Sequence, residues 1–109
     1  MFTQLAIPDV ILFVPKRHRD SRGWFSEAHS VSLLDTQKFP RFVQDNDSFS
    51  TAPGTVRGLH FQRAPLAQSK LVRCVTGAVF DVAVDLRPGS STFGRHVSLR
   101  LDAESGAQV

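Results

Sequence analysis

Residues 57–62, Arg57-Gly58-Leu59-His60-Phe61-Gln62, set an imidazole between two apolar side chains. In extended backbone successive side chains alternate between faces. His60 therefore lies beside Gly58 and Gln62 and away from Leu59 and Phe61. The glycine two positions earlier leaves open space on that face. An imidazole titrates near neutrality when unperturbed, which is the range a general base needs. The bland reading is a structural strand histidine. Metal ligation is the weaker idea: no histidine stands two residues on, and His18, His29 and His96 are scattered without a ligand-rich motif.

Three further segments carry polar chemistry. Asp20-Ser21-Arg22-Gly23-Trp24-Phe25-Ser26-Glu27 begins with a turn signal. Arg22 there is either a solvated turn residue or a planar donor fork suited to phosphate oxygens. Phe42-Val43-Gln44-Asp45-Asn46-Asp47-Ser48-Phe49-Ser50 crowds amides, carboxylates and hydroxyls after an apolar stretch. Loop capping explains such a cluster, and so does an edge that hydrogen-bonds a ligand. Gln68-Ser69-Lys70-Leu71-Val72-Arg73 puts a lysine at the start of a strand-like run. Taken alone, Lys70 is a solvated charge.

The elements that would position these residues read as strands. Val10–Val14, Phe42–Asn46, Gly58–Gln62, Lys70–Val75, Ala78–Leu86 and His96–Leu101 are strand candidates, separated by Pro53-Gly54, Gly77, Pro88-Gly89-Ser90 and Gly94. Short strands punctuated by turns argue for an all-β sandwich or barrel. A helix is hinted at only over Glu27–Leu34, with Ser26 as its cap. In the run Phe80–Leu86, alternation puts Phe80, Val82, Val84 and Leu86 on one face, expected to pack in a core. Asp81, Ala83 and Asp85 fall on the other, which alternation alone turns to water; with the ligand-like segments nearby, Asp81 or Asp85 is expected to face a polar cavity. The final LDAESGAQV offers no strand that would close a sheet. Six candidates fall short of the eight or so strands of a jelly roll, so the fold is expected to be incomplete at its C-terminus.

Composition sets the class. An apolar fraction of 41% and a charged fraction of 21% in 109 residues describe one ordinary globular domain rather than a disordered chain. No run approaches the ~20 apolar residues that span a bilayer, and the N-terminal stretch lacks the features of a signal peptide. A single cysteine, Cys74, rules out an internal disulfide. It makes a cytoplasmic location the default, with the thiol packed as a small hydrophobe. The net charge of +3 is dispersed rather than gathered into basic blocks with aromatics between them. Nucleic-acid binding is therefore not expected, while a small anion such as a diphosphate would suit the balance.

In order and at their spacing, DSRGWFSE, FVQDNDSFS, GTVRGLHFQ and QSKLVRCVTGAVFDVAVDLRPGSSTFGRH resemble the dTDP-4-dehydrorhamnose 3,5-epimerases, from about Pro8 onward. The resemblance implies a cupin-type jelly roll spanning 1–109 as one truncated domain, usually a homodimer, with no metal or organic cofactor. It implies a dTDP-linked 4-keto-6-deoxyhexose as substrate, inverted at carbons 3 and 5 on the way to dTDP-L-rhamnose. His60 matches the family's base. Lys70 matches a substrate-binding lysine whose ammonium would stabilise an enolate oxygen. Arg22, Glu27, Gln44, Asp45, Asn46 and Arg57 match substrate-contact positions, with the arginines on diphosphate and sugar and Gln44 and Asn46 on the nucleotide. Arg57 and His60 differ in parity, so either Arg57 precedes the strand or a bulge intervenes.

Family members are longer and continue to a tyrosine acid, a second histidine and an aspartate that orients the base. This sequence has no Tyr. The 109 residues alone are accordingly expected to show little or no epimerase activity and to self-associate through unpaired edges. The competing readings are an inactive sugar-nucleotide binding module, a non-functional fragment, and a related 3- or 5-epimerase.

Overall fold

The computed structural model describes every residue except Lys38. The chain divides into two compact units, residues 1–30 with 71–109, and residues 31–70. Among the described residues there are six strands and one short helix, so the all-β expectation holds. No helix among them is long and apolar enough to cross a membrane.

The first unit holds all six strands. β1 (Phe2–Gln4) pairs antiparallel with β2 (Ile11–Phe13), and the rings of the register partners Phe2 and Phe13 stack with centroids 4.5 Å apart. β3 (Arg17–Asp20) pairs with β4 (Gly23–Ser26) across the two-residue turn Ser21-Arg22, which is the turn the Asp-Ser-Arg-Gly signal anticipates. β5 (Ala78–Val84) pairs with β6 (His96–Asp102) over seven register pairs.

The last residues form no strand, as expected from LDAESGAQV, but they bridge two other segments. Gln108 exchanges both backbone hydrogen bonds with Phe13 at 2.8 Å, and Val109 exchanges bonds with Val72 at 2.7 and 3.0 Å. Residues 108–109 thus lie between β2 and the Val72–Arg73 segment. This insertion builds the core. Cys74, Leu101 and Ala107 are buried together, with Leu12, Val14, Val72, Leu99 and Val109 against them. Cys74 is packed as expected, its thiol donating to the Thr76 carbonyl at 3.2 Å.

The faces of β5 are the reverse of the reading from alternation. Val79, Asp81 and Ala83 stand opposite Leu101, Leu99 and Val97, and partners directly opposite share a face. The alternation of β6 decides the matter, because Leu101 is 0% exposed and Leu99 packs on the core. Phe80 lies on the other face beside Arg100 and is 72% exposed, and Leu86 is also exposed. Leu101→Ala should therefore destabilise the fold by about 2–5 kcal/mol through lost packing and a residual cavity, whereas Phe80→Ala should stay within about 0.5 kcal/mol. Denaturant melts of the two variants would check this, and the opposite ranking would restore the original assignment.

In the second unit the helix α1 is Val31–Asp35, five residues, not Glu27–Leu34. Ser26 is taken by β4 and cannot cap a helix. Ser30 stands at the position before α1 where a capping side chain belongs. The expected strands Phe42–Asn46 and Gly58–Gln62 are not strands here, and Lys70–Val75 keeps only an isolated bridge at Arg73. Residue type alone does not make a strand: a ladder partner must satisfy the backbone groups, and residues 108–109 give Val72 and Arg73 only a short bridge. Residues 43–70 are exposed throughout.

Candidate functional site

The β3–β4 hairpin presents two of the expected site residues. Arg22 occupies its turn, and Glu27 follows β4 directly, exposed. Asp20 organises the turn. Its carboxylate accepts the Arg22 backbone N–H at 2.8 Å, Nη2 at 2.7 Å and Nε at 3.3 Å. The Arg22 side chain, and then the Arg22 backbone N–H, hold the Asp20 carboxyl below its usual range. Both side chains are largely in water, so the pair adds little to stability. Its effect is orientation: Nε and Nη2 are both turned back onto Asp20. The turn also forms one wall of a shallow open groove of about 230 Å³, lined by Asp20, Arg22, Gly23, Trp24 and Phe25.

Trp24 and Phe25 are residues that the sequence reasoning passed over. Both are exposed, and the Arg17 guanidinium carbon lies 3.9 Å from the centroid of the Trp24 ring. The signal available was the aromatic pair directly after the Asp-Ser-Arg-Gly turn. Exposed aromatics beside an arginine fork offer a stacking surface next to an anion contact.

The second unit holds the other expected residues, all exposed. The Gln44 amide donates to Asn46 Oδ1 at 3.1 Å, so these two form one hydrogen-bonding edge, with Asp45 between them in sequence. Arg57 is not splayed into water. Its Nε donates to Ser50 Oγ at 3.0 Å and its Nη2 to the Phe49 carbonyl at 2.8 Å, tying the 57–62 segment to the end of the polar cluster. The parity question between Arg57 and His60 dissolves, because no regular strand joins them. Gly58 has a φ of 106°, a conformation that favours glycine, and resets the direction of the chain just before His60. His60 and Lys70 are both open to solvent.

Asp85, one of the two carboxylates expected at a polar cavity, is instead buried within its own loop. Its carboxylate accepts from the Arg87 backbone N–H (3.0 Å), Nε (2.9 Å) and Nη2 (2.9 Å), and from the Ser90 and Thr92 hydroxyls (both 2.6 Å). It closes the loop between β5 and β6. Asp81 is half-buried on the Leu99 face.

The family model for dTDP-4-dehydrorhamnose 3,5-epimerase matches residues 4–109. The chain is 50% identical over 109 residues to the dTDP-4-dehydrorhamnose 3,5-epimerase of Sinorhizobium fredii, covering 99% of this chain and 56% of that protein. It is similar to the crystal structure of the Bacillus anthracis enzyme with TDP and PPi bound, with a TM-score of 0.94 and 40% identity, over 99% of this chain and 62% of that one. It is similar also to a Legionella pneumophila dTDP-6-deoxy-D-glucose-3,5-epimerase in complex with dTDP-4-keto-L-rhamnose, at a TM-score of 0.91 and 40% identity, over 99% and 57% of the two chains. The chain thus spans a little over half the length of several curated relatives that it matches. With the family match running through nearly every residue and the fold shared at this identity, the chain belongs to the dTDP-4-dehydrorhamnose 3,5-epimerase family.

Proposed function

We propose that this chain is part of an epimerase that inverts carbons 3 and 5 of dTDP-4-dehydro-6-deoxy-D-glucose, giving dTDP-4-dehydro-L-rhamnose for dTDP-L-rhamnose biosynthesis. The family match across residues 4–109 carries this reading. The nucleotide and keto-sugar bound in two similar structures support the substrate class. The chemistry needs a base near neutral pKa and a fixed positive charge at the carbon 4 oxygen. Protons on the carbons flanking a ketone become removable when the enolate oxygen is stabilised electrostatically. His60 removes those protons in turn, and the Lys70 ammonium holds the enolate oxygen. Arg22 and Arg57 take the diphosphate and sugar, Gln44 and Asn46 bond the nucleotide, and Glu27 and Asp45 complete the substrate contacts.

The returning proton must come from the face opposite His60. The resemblance assigns that step to a tyrosine, and these 109 residues contain none. The chain then forms part of a single jelly-roll domain in a cytoplasmic homodimer that works without metal or organic cofactor. The reading is tested in deuterium oxide with the whole protein and dTDP-4-dehydro-6-deoxy-D-glucose. Deuterium at both carbon 3 and carbon 5 is the expected result, read by proton NMR. Deuterium at one carbon alone would make it a single-centre epimerase. Binding of dTDP without any exchange would make it a binding module.

A further inference from the structure

The β3–β4 hairpin, with Arg22 at its turn and Glu27 at its exit, is held from one distant stretch of chain, residues 103–108. Two side chains make the connection. Arg17 sits over the Trp24 ring and spends its fork on carbonyls, Nη2 donating to Ala103 O at 2.9 Å and Nη1 to Glu104 O. The approach is close enough that a Cβ on Gly106 would sit 2.9 Å from Arg17 Nη2, and Gly106 has a φ of 64°. A side chain at position 106 would therefore collide with the guanidinium as well as strain the backbone. At the other end of the hairpin, Gln108 Nε2 donates to the Ala28 carbonyl at 2.7 Å, one residue after Glu27.

Gln108 is only 1% exposed. Its backbone N–H and C=O are both engaged with Phe13, so the side-chain bond is additional to the sheet and can be removed without touching the ladder. A buried amide is costly to retain unless its donors are used. Here the use is a single carbonyl, and that carbonyl adjoins a residue expected to contact substrate.

We infer that Gln108 and Arg17 are positioning residues for nucleotide-sugar recognition, fixing the β3–β4 hairpin so that Arg22 and Glu27 meet the ligand in one geometry. The inference rests on the reading that those two residues contact the substrate. Neither anchor touches ligand: Gln108 acts through the Ala28 peptide on Glu27, and Arg17 acts through Trp24 on the hairpin.

The test uses dTDP-glucose binding by calorimetry, together with amide hydrogen exchange, on the whole protein. Gln108→Met keeps an unbranched side chain of similar length and loses the donor. It should weaken dTDP-glucose binding about tenfold, the effect of one neutral hydrogen bond, and speed exchange at residues 28–30 while leaving β5 and β6 unchanged. In a Glu27→Gln background the same substitution should cost less than about twofold, because residues acting through one another are not additive. Gln4→Met is the control. Gln4 Nε2 donates to the Pro8 carbonyl at 2.7 Å, a bond of the same kind away from the hairpin, and its loss should not change affinity. If Gln108→Met fails to melt cooperatively, Arg17→Lys carries the test, since an ammonium cannot span two carbonyls as the fork does. Wild-type affinity in the variant, or equal losses with and without Glu27, would overturn the inference alone. A wild-type protein that does not bind dTDP-glucose at all would defeat the epimerase reading and this inference with it.

Discussion

His60→Ala in the whole protein is expected to lower solvent-deuterium incorporation at carbons 3 and 5 by about 100- to 10,000-fold, the usual contribution of a positioned general base. Affinity for dTDP should stay within a few-fold, because the nucleotide contacts assigned to Arg22, Gln44 and Asn46 are on other segments. The expectation combines three observations. His60 sits in the Arg57–Gln62 segment that matches the family, its side chain is open to solvent, and the residues before it are pinned by Arg57 to Phe49 and Ser50. Gly58, at a φ of 106°, turns the chain so that His60 need not follow strand alternation from Arg57. A base acts only in the transition state, so its loss should appear in kcat far more than in binding. Exchange at the wild-type rate in His60→Ala would take this histidine out of the mechanism. A matching loss of dTDP affinity would show that it mainly holds the nucleotide.

What could be read in advance follows from how local each signal is. β5 and β6 alternate over seven residues each, and a long periodic run declares itself. β3, Arg-His-Arg-Asp, has no apolar face, so only the turn that joins it to β4 was legible and not the strands. Phe42–Asn46 and Gly58–Gln62 have strand-forming residues, yet a strand is a pairing, and pairing with a distant segment is invisible in a local window. The inverted face of β5 has the same origin. Phe80, Val82 and Val84 look like a core stripe until the register sets Leu99 and Leu101 opposite Asp81 and Val79. The site was legible as residue types in order: an arginine in a turn, an amide cluster, a histidine after glycine. Their roles came from the family resemblance and not from spacing. Gln108 carried no mark in the sequence. Its importance depends on a carbonyl 80 residues away.

The largest expected stability effect of a carboxylate belongs to Asp85, and it comes with a definite pH dependence. Arg87 bonds two carboxylates. Asp9 is 71% exposed at its side chain and Asp85 is 0% exposed. Water can replace Asp9 as a partner, so Asp9→Ala should cost little. Asp85 cannot be replaced in the same way. Five donors converge on its two oxygens, and Asp85→Asn puts an amide N–H₂ where one oxygen accepted from Arg87 Nη2, Ser90 and Thr92. A donor would then face the guanidinium, and the turn around Pro88-Gly89 would lose its centre. A fall in Tm of roughly 5–10 °C is expected for a domain of this size. The hydrogen bonds from the Arg87 side chain, then Ser90, Thr92 and the Arg87 N–H, hold the Asp85 carboxyl well below the usual carboxylate range, against a smaller opposing effect of burial. The unfolded chain, with an Asp pKa of about 3.9, therefore takes up this proton before the folded chain does. The stabilisation is complete above about pH 4 and drains away as pH falls towards the depressed folded-state value. In melts from pH 7 to pH 2, the gap between wild type and Asp85→Asn should be constant down to about pH 4 and then narrow. A gap that stays constant to pH 2, or widens, would mean that the shape of the loop, and not the charge of Asp85, supplies the stability.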